Sequence, residues 1–339
     1  MVTQIAPNDK DTNAQVDALL EAEGIRRDRN LDYTCGIFDD DGRLIATGSC
    51  FRQTLRCMAV DGGHRGEGLM NAVVSHLLTV QLERGYGHVF LYTKPDSARF
   101  FADLGFYEIA RTEKLVFMEN RRTGFSGYLG RCKACGPAAC IVMHANPFTL
   151  GHRYLLEQAA KAHERVHLFV LSEEASPIPF AVRKRLVQAG AADLPNVILH
   201  DAGPYIISRA TFPSYFLKDE EEAVRAQAAL DLAVFLKIAE ALQITDRYVG
   251  EEPVSRVTAI YNETMARELP KRGVACHIVP RLTLDGEPIS ASAVRRYLRA
   301  GDLDAACRLL PQTGAAFFRS EEAAPVIRAI RTAGDPQRL

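Results

Sequence analysis

The chain has 339 residues, 47% of them hydrophobic and 24% charged, with a formal net charge of −1. That length carries two domains, each able to bury a core, and the near-zero charge gives no general attraction to nucleic acid or to an anionic membrane. No apolar run approaches the roughly 18 residues of a membrane span, and the N-terminus is polar rather than signal-like, so its eight cysteines read as reduced thiols and the expected location is the cytoplasm.

The first thirty residues are polar, with one short helical segment around 16–23. Strand character begins at Tyr33-Thr-Cys-Gly-Ile-Phe38. Asp39-Asp-Asp-Gly42 then turns the chain into Leu44-Ile-Ala-Thr-Gly-Ser-Cys50, since Asp-Gly between two β-prone runs is a hairpin signal. A third strand over 54–60 leads into Asp61-Gly-Gly-His-Arg-Gly-Glu-Gly68. Leu69, Met70, Val73, Val74, Leu77 and Leu78 follow at helical spacing. A strand over 88–93, a helix over 96–104 ending at Gly105-Phe106, and a last strand over 115–118 complete this part.

That order, with Arg65-Gly-Glu-Gly68 and Ala98-Arg-Phe-Phe-Ala-Asp-Leu-Gly-Phe106, resembles the GNAT acetyltransferase fold. The resemblance implies a loop at Arg65, Gly66 and Gly68 whose backbone N–H groups hold the pyrophosphate of a CoA-like ligand. Met70 stands where that family has Gly or Ala, which favours recognition of a CoA-like arm over acyl transfer.

Residues 119–137 are polar and Gly-rich and read as a linker with some residual packing. They include Cys132-Lys-Ala-Cys135, with Cys140 beyond. A Cys-x-x-Cys pair can seed a zinc site, but no second pair lies at finger spacing, so free thiols are the preferred reading and no metal site is expected. The boundaries expected are therefore 1–120, a linker over 121–138, and 139–339.

From 139 the chain alternates. Strands are expected over 139–143, 166–171, 196–200, 247–250 and 274–280, with helices over 151–163, 180–194, 223–242 and 254–269 and another from 290. Such alternation gives a doubly wound parallel sheet that binds ligands at the carboxyl ends of its strands. The tail over 303–339 reads as helical and carries no visible chemistry.

Two stretches carry chemistry. In Ile141-Val-Met-His-Ala-Asn-Pro-Phe-Thr-Leu-Gly-His152 an apolar strand is broken by Asn146-Pro147 and a helix opens at Gly151. A strand, a turn and a helix start present free N–H groups and a positive dipole end to an anion. Thr149 adds a hydroxyl, Gly151 lets a phosphate approach the backbone, and His152 donates from its ring. An ordinary corner with a surface histidine has the same local sequence. After the last strand, Ile289-Ser-Ala-Ser-Ala-Val-Arg295 places Ser290 and Ser292 at another helix start, with Arg295 one turn in.

Thr149-x-Gly-His152 resembles the [H/T]xGH signature of the nucleotidyltransferase superfamily, and Ile289 to Arg295 is similar to its second phosphate motif. The class I aminoacyl-tRNA synthetases share the first motif but need a Lys-rich second one. Asn146-Pro-Phe-Thr-Leu-Gly-His-Arg-Tyr-Leu155 is similar to the citrate lyase ligase family, which usually carries Asn where this chain has His144. Tyr205-Ile-Ile-Ser-Arg-Ala-Thr-Phe-Pro-Ser-Tyr-Phe-Leu-Lys218 also resembles that family.

The resemblance implies an α/β chain: a GNAT-like α+β domain followed by a Rossmann-like nucleotidyltransferase domain. It implies a cytoplasmic ligase that uses ATP and Mg²⁺ to adenylate acetate. The acetyl group then passes to the thiol of a CoA-like group on the citrate lyase acyl carrier subunit, with no nucleic acid or membrane partner. His152, Thr149 and Arg295 would stabilise charge, and His144 is the candidate base for the thiol. Asn146, Phe148, Gly151, Ser290 and Ser292 would line the nucleotide site. Gly250 and Glu252 at a strand end are candidates for the base or ribose, and Arg183, Arg209 and Lys218 for phosphate or acyl contacts. The other readings are a nucleotidyltransferase acting on a phosphopantetheine-like acceptor and a non-catalytic carrier-binding module.

Overall fold

The structure, a computed structural model, describes residues 1–28, 30–134, 136–172, 176–206, 220–252 and 256–333. The chain divides into two units, the first made of Met1–Tyr128 with a later helix as far as Val234, the second of the chain from Leu129 and again from Phe235. Among the described residues no helix is long and apolar enough to cross a membrane.

In the first unit β1 (Thr3–Gln4), β2 (Tyr33–Phe38), β3 (Leu44–Phe51), β4 (Thr54–Val60), β5 (Phe90–Thr93), β6 (Tyr107–Arg111) and β7 (Val116–Glu119) form one sheet in the order β1-β2-β3-β4-β5-β7-β6. The β2–β3 turn is the expected hairpin: Asp39 Oδ1 accepts from the N–H of Asp41 at 3.0 Å and of Arg43 at 2.8 Å. Helices α1 (Lys10–Ala22), α2 (Leu69–Glu83) and α3 (Ala98–Asp103) accompany the sheet. Val73, Val74 and Leu77 of α2 and Phe101 of α3 share a core with Ile45, Leu55 and Leu91, the face that their helical spacing predicts. Strand β6 was not foreseen: only Ile109 and Ala110 of its five residues are buried, too weak an alternation to read.

Strands β4 and β5 run parallel but pair only at Thr54 with Phe90 and Leu55 with Leu91. Beyond those pairs Met58, Ala59 and Val60 face Tyr92 and Thr93 across a cleft of about 740 Å³. Stretch 119–137, expected as a linker, contains helix α4 (Gly124–Cys132).

From Ala138 onward β8 (Ala138–Met143), α5 (Leu150–Ala162), β9 (Val166–Val170), α6 (Phe180–Gly190), β10 (Val197–Asp201), α7 (Glu220–Leu242, of which the second unit holds the part from Phe235), β11 (Ile244–Gly250), α8 (Arg256–Glu268) and β12 (Ala275–Val279) alternate as expected. The five strands are all parallel, in the order β10-β9-β8-β11-β12. Strand β8 is central, and the order reverses beside it, where an open sheet parts its loops and receives ligands. β8 and β9 are buried on both faces, which is why they read as unbroken apolar runs.

A hairpin of β13 (Thr283–Leu284) and β14 (Glu287–Pro288) precedes α9 (Ala291–Ala300). The tail forms α10 (Leu303–Arg308), α11 (Gln312–Arg319) and α12 (Ala324–Thr332). Leu310, Phe317, Phe318 and Ile330 complete the core that holds Phe148 and Leu156. Cys132 and Cys140 are buried free thiols, and Cys140 Sγ accepts from Arg247 Nη1 at 3.2 Å. Cys135 lies outside the described residues.

Candidate active site

The site lies at the carboxyl end of β8. Thr149 caps α5: its Oγ1 accepts from the N–H of His152 at 3.3 Å, and His152 Nδ1 accepts from the N–H of Thr149 at 3.1 Å. This is a capping box with histidine in the place usual for Glu or Gln. Accepting a backbone N–H requires Nδ1 to be bare, so the neutral ring carries its proton on Nε2. Burial, and then the charge of Arg281, push His152 down to about 4. The residue is therefore a neutral ring that donates from Nε2.

The free N–H groups at the start of α5 can be followed one by one. Leu150 donates to the carbonyl of Leu309 at 2.9 Å, and the N–H of His152 is taken by Thr149. Among the described residues Gly151 N–H finds no acceptor, and it is the one left for a ligand. Gly151 itself is required by close approach, since a Cβ there would stand 3.0 Å from the carbonyl oxygen of Ile289.

Ile289 is the residue before the second helix start. Ser290 caps α9, its Oγ accepting from Ala293 N–H at 3.0 Å, which leaves the N–H groups of Ala291 and Ser292 pointing off the helix end. Arg295 donates from Nη1 to the carbonyl of Asn146 at 2.5 Å and from Nη2 to Ser292 Oγ at 3.1 Å. The two motifs, far apart in sequence, thus meet, and their helix dipoles direct partial positive charge to one place.

Other expected residues take different parts. Arg183 is fully buried, and it donates from Nε to the carbonyl of Ile178 at 3.1 Å and from Nη1 to those of His144 at 2.7 Å and Leu171 at 2.9 Å. It clamps the loops after β8 and β9 from a buried position, not from a solvated helix face. Phe148 is also a correction: it lies in the core, against Gly190 of α6 and 5.9 Å from the His152 ring, and supports the site from beneath. His144 is pushed down to about 4 by burial first, then by Arg183, Arg295 and His152. An imidazole that releases its proton so readily is a poor base for a thiol near pH 7, against the role expected for it.

Gly250 ends β11, next to β8 in the sheet, and Glu252 follows it. The carbonyl of Gly250 accepts from Asn262 Nδ2 at 2.9 Å, and Glu252 pairs with Arg281 Nη2 at 2.6 Å. Arg281 was missed; its one signal was its place just past a parallel strand, at the ligand-bearing edge. Arg209 and Lys218 lie outside the described residues. Among the described residues no group of three or more His, Cys, Asp or Glu side chains is placed to hold a metal ion.

In the first unit the Gly-rich loop lines the cleft. Gly66 and Gly68 have φ of 90° and 74°, and Gly68 stands directly before α2, whose first internal bond is from Ala72 to Gly68. The N–H groups of Leu69, Met70 and Asn71 are therefore not used by the helix. Arg65 is ion-paired with Glu23, and Met70 stands in the cleft wall.

A splayed sheet with a glycine loop, followed by a parallel sheet with two converging helix starts, defines a two-part enzyme of the acetyltransferase-like and nucleotidyltransferase-like kinds. The comparisons agree. Residues 6–106 match the acetyltransferase (GNAT) family and residues 138–318 match the citrate lyase ligase C-terminal domain. The chain is 37% identical over 313 residues to citrate (pro-3S)-lyase ligase of Klebsiella pneumoniae, covering 89% of this chain and 91% of that one. It is 38% identical over 298 residues to the ligase of the same name from Escherichia coli K12, covering 84% and 85%. A shorter stretch of 57 residues is 35% identical to phosphopantetheine adenylyltransferase of Staphylococcus carnosus, covering 16% of this chain and 35% of that one. The chain belongs to the citrate lyase ligase family, and it is a ligase.

Proposed function

We propose that the second unit grips the triphosphate of ATP between the starts of α5 and α9 and uses it to adenylate acetate. The acetyl group then passes to the thiol of a CoA-like prosthetic group on the citrate lyase acyl carrier subunit, and the cleft of the first unit holds that group. The observation that carries this reading is the approach of Gly151 to Ile289, which joins two anion-ready helix ends.

Acetate, a carboxylic acid of pKa about 4, is already an anion at pH 7 and needs no base to attack. The obstacle is repulsion from the polyphosphate. The N–H groups of Gly151, Ala291 and Ser292, the Nε2–H of His152 and the guanidinium of Arg295 offset it, and they do so without reorganising. A carboxylate oxygen bonds to the α-phosphorus while the bond to the β-phosphate oxygen breaks and pyrophosphate leaves. The thiolate then bonds to the acetyl carbon, AMP leaves, and the thiol proton goes to solvent. Mg²⁺ would arrive on the triphosphate, which supplies most of its ligands in sites of this kind.

Acetate-dependent exchange of labelled pyrophosphate into ATP tests the reading, and absence of exchange by active protein would refute it. The local similarity to an adenylyltransferase favours one other reading, transfer of the nucleotide to a phosphopantetheine-like acceptor. That enzyme would exchange pyrophosphate only with such an acceptor and would ignore acetate.

A further inference from the structure

The loops after β11 and β12 are joined into one piece. Glu251 donates its N–H to the carbonyl of Val279 at 2.8 Å. Arg281 returns the connection, donating from Nε to the carbonyl of Glu251 at 2.8 Å and from Nη2 to Glu252 Oε2 at 2.6 Å. One residue further on, the carbonyl of Leu282 accepts from the N–H of Ile289 at 2.9 Å. Ile289 is in turn the residue whose carbonyl oxygen a Cβ on Gly151 would meet at 3.0 Å. Arg281 therefore stands one residue from the seam between the starts of α5 and α9, and its charge reaches the His152 ring on α5.

The guanidinium is fixed but not used up. Its Nε–Nη2 edge faces Glu251 and Glu252, and among the described residues Nη1 donates to nothing. The side chain is 25% exposed, so the ion pair is shielded without being sealed. A guanidinium held along one edge can still receive phosphate oxygens along another, which the single point of charge on a lysine does not match. That the ligand here is an anion follows from the two helix starts, independently of this arginine. Arg281 adds a cation at the same edge of the sheet, set in direction before a ligand arrives.

We propose that Arg281 is a phosphate contact: its open edge binds an oxygen of the nucleotide's phosphate chain beside the Nε2–H of His152. It forms hydrogen bonds only, and no proton or electron pair passes through it. Negative charge that gathers on the phosphate oxygens as the carboxylate attacks then meets a cation that need not move. The proposal rests on ATP being the ligand of this site, and it brings in a residue from the β12 side of the sheet.

Equilibrium dialysis of the full chain against labelled ATP and against labelled adenosine separates the phosphate contacts from those of the nucleoside. Arg281→Met should weaken ATP binding by ~10- to 100-fold and leave adenosine binding within about twofold, as for a lost charged hydrogen bond. Arg281→Lys keeps a cation without the fork and should weaken ATP binding less than Arg281→Met does. It also serves in place of the methionine variant if that one does not fold. ATP and adenosine weakened alike, with a lowered melting temperature, would show that Arg281 only braces the two loops, and this overturns the inference. ATP binding unchanged in both variants overturns it as well, and either result leaves the ATP site standing. Absence of ATP binding by the unsubstituted protein overturns both.

Discussion

Arg295 of α9 donates to the backbone carbonyl of Asn146, a residue of the loop after β8, at 2.5 Å. A lysine could carry the charge there, but it could not bond to that carbonyl and to Ser292 Oγ from one planar fork. Arg295→Lys is therefore expected to lower kcat/KM for pyrophosphate exchange by ~100-fold, and Arg295→Ala by more, with little change in melting temperature. Exchange unchanged by the lysine variant would show that the fork does not shape the site.

Arg183 should behave in the opposite manner. Its guanidinium is buried and spends donors on the carbonyls of His144, Leu171 and Ile178. Arg183→Met leaves those carbonyls unpaired and should cost about 2–5 kcal/mol in urea unfolding. A variant of full stability that lost only nucleotide affinity would instead mark Arg183 as a direct phosphate contact.

Acid should weaken the fold in a defined window. His144, His152 and His167 are each pushed from 6.5 down to about 4, burial being the first cause in all three. Between those two values the unfolded chain binds more protons than the folded one, so stability rises with pH across the window. The contribution is whole above about 6.5 and is lost as pH falls toward 4. Urea midpoints of the unliganded protein should fall steadily from pH 6.5 to 4.5, with a slope approaching one proton per histidine, and stay nearly level from 7 to 8. A level profile through the acid range would mean that these rings are already charged when folded.

The parallel sheet was legible because β8 and β9 are buried on both faces and must be apolar throughout. Both helix starts were legible because capping and phosphate binding ask for the same few residues, Thr149, Gly151, Ser290 and Ser292. Their meeting was not, since the contact of Gly151 with Ile289 is made by backbone, which any residue supplies at Ile289. The burial of Arg183 was not legible for a related reason. A helical arginine is normally solvated or ligand-directed, and its burial depends on carbonyls from three separate loop positions. The charge state of His152 likewise depends on burial and on Arg281, neither of which is written locally. The β13–β14 hairpin was overlooked although Asp285-Gly286 offers the signal used at Asp41-Gly42; its strands are two residues each, too short to show alternation.

The proposed division of labour between the units gives the last prediction. Arg65 lies in the first unit, exposed and paired with Glu23, beside a loop in which Gly66 and Gly68 have positive φ. Removing it takes a cation from the rim of the cleft and leaves the loop backbone, which supplies the N–H groups, in place. In the proposed reading adenylation draws on residues of the second unit. Arg65→Ala should therefore leave acetate-dependent pyrophosphate exchange within about twofold of its usual rate while slowing acetyl transfer to the acyl carrier by ~10-fold, seen chiefly in KM for the carrier, as for a lost ion pair to a phosphate group. The split between the two assays is the informative quantity. Equal loss in both would mean that the cleft acts on the nucleotide chemistry itself, and no loss in either would mean that the carrier's prosthetic group binds elsewhere.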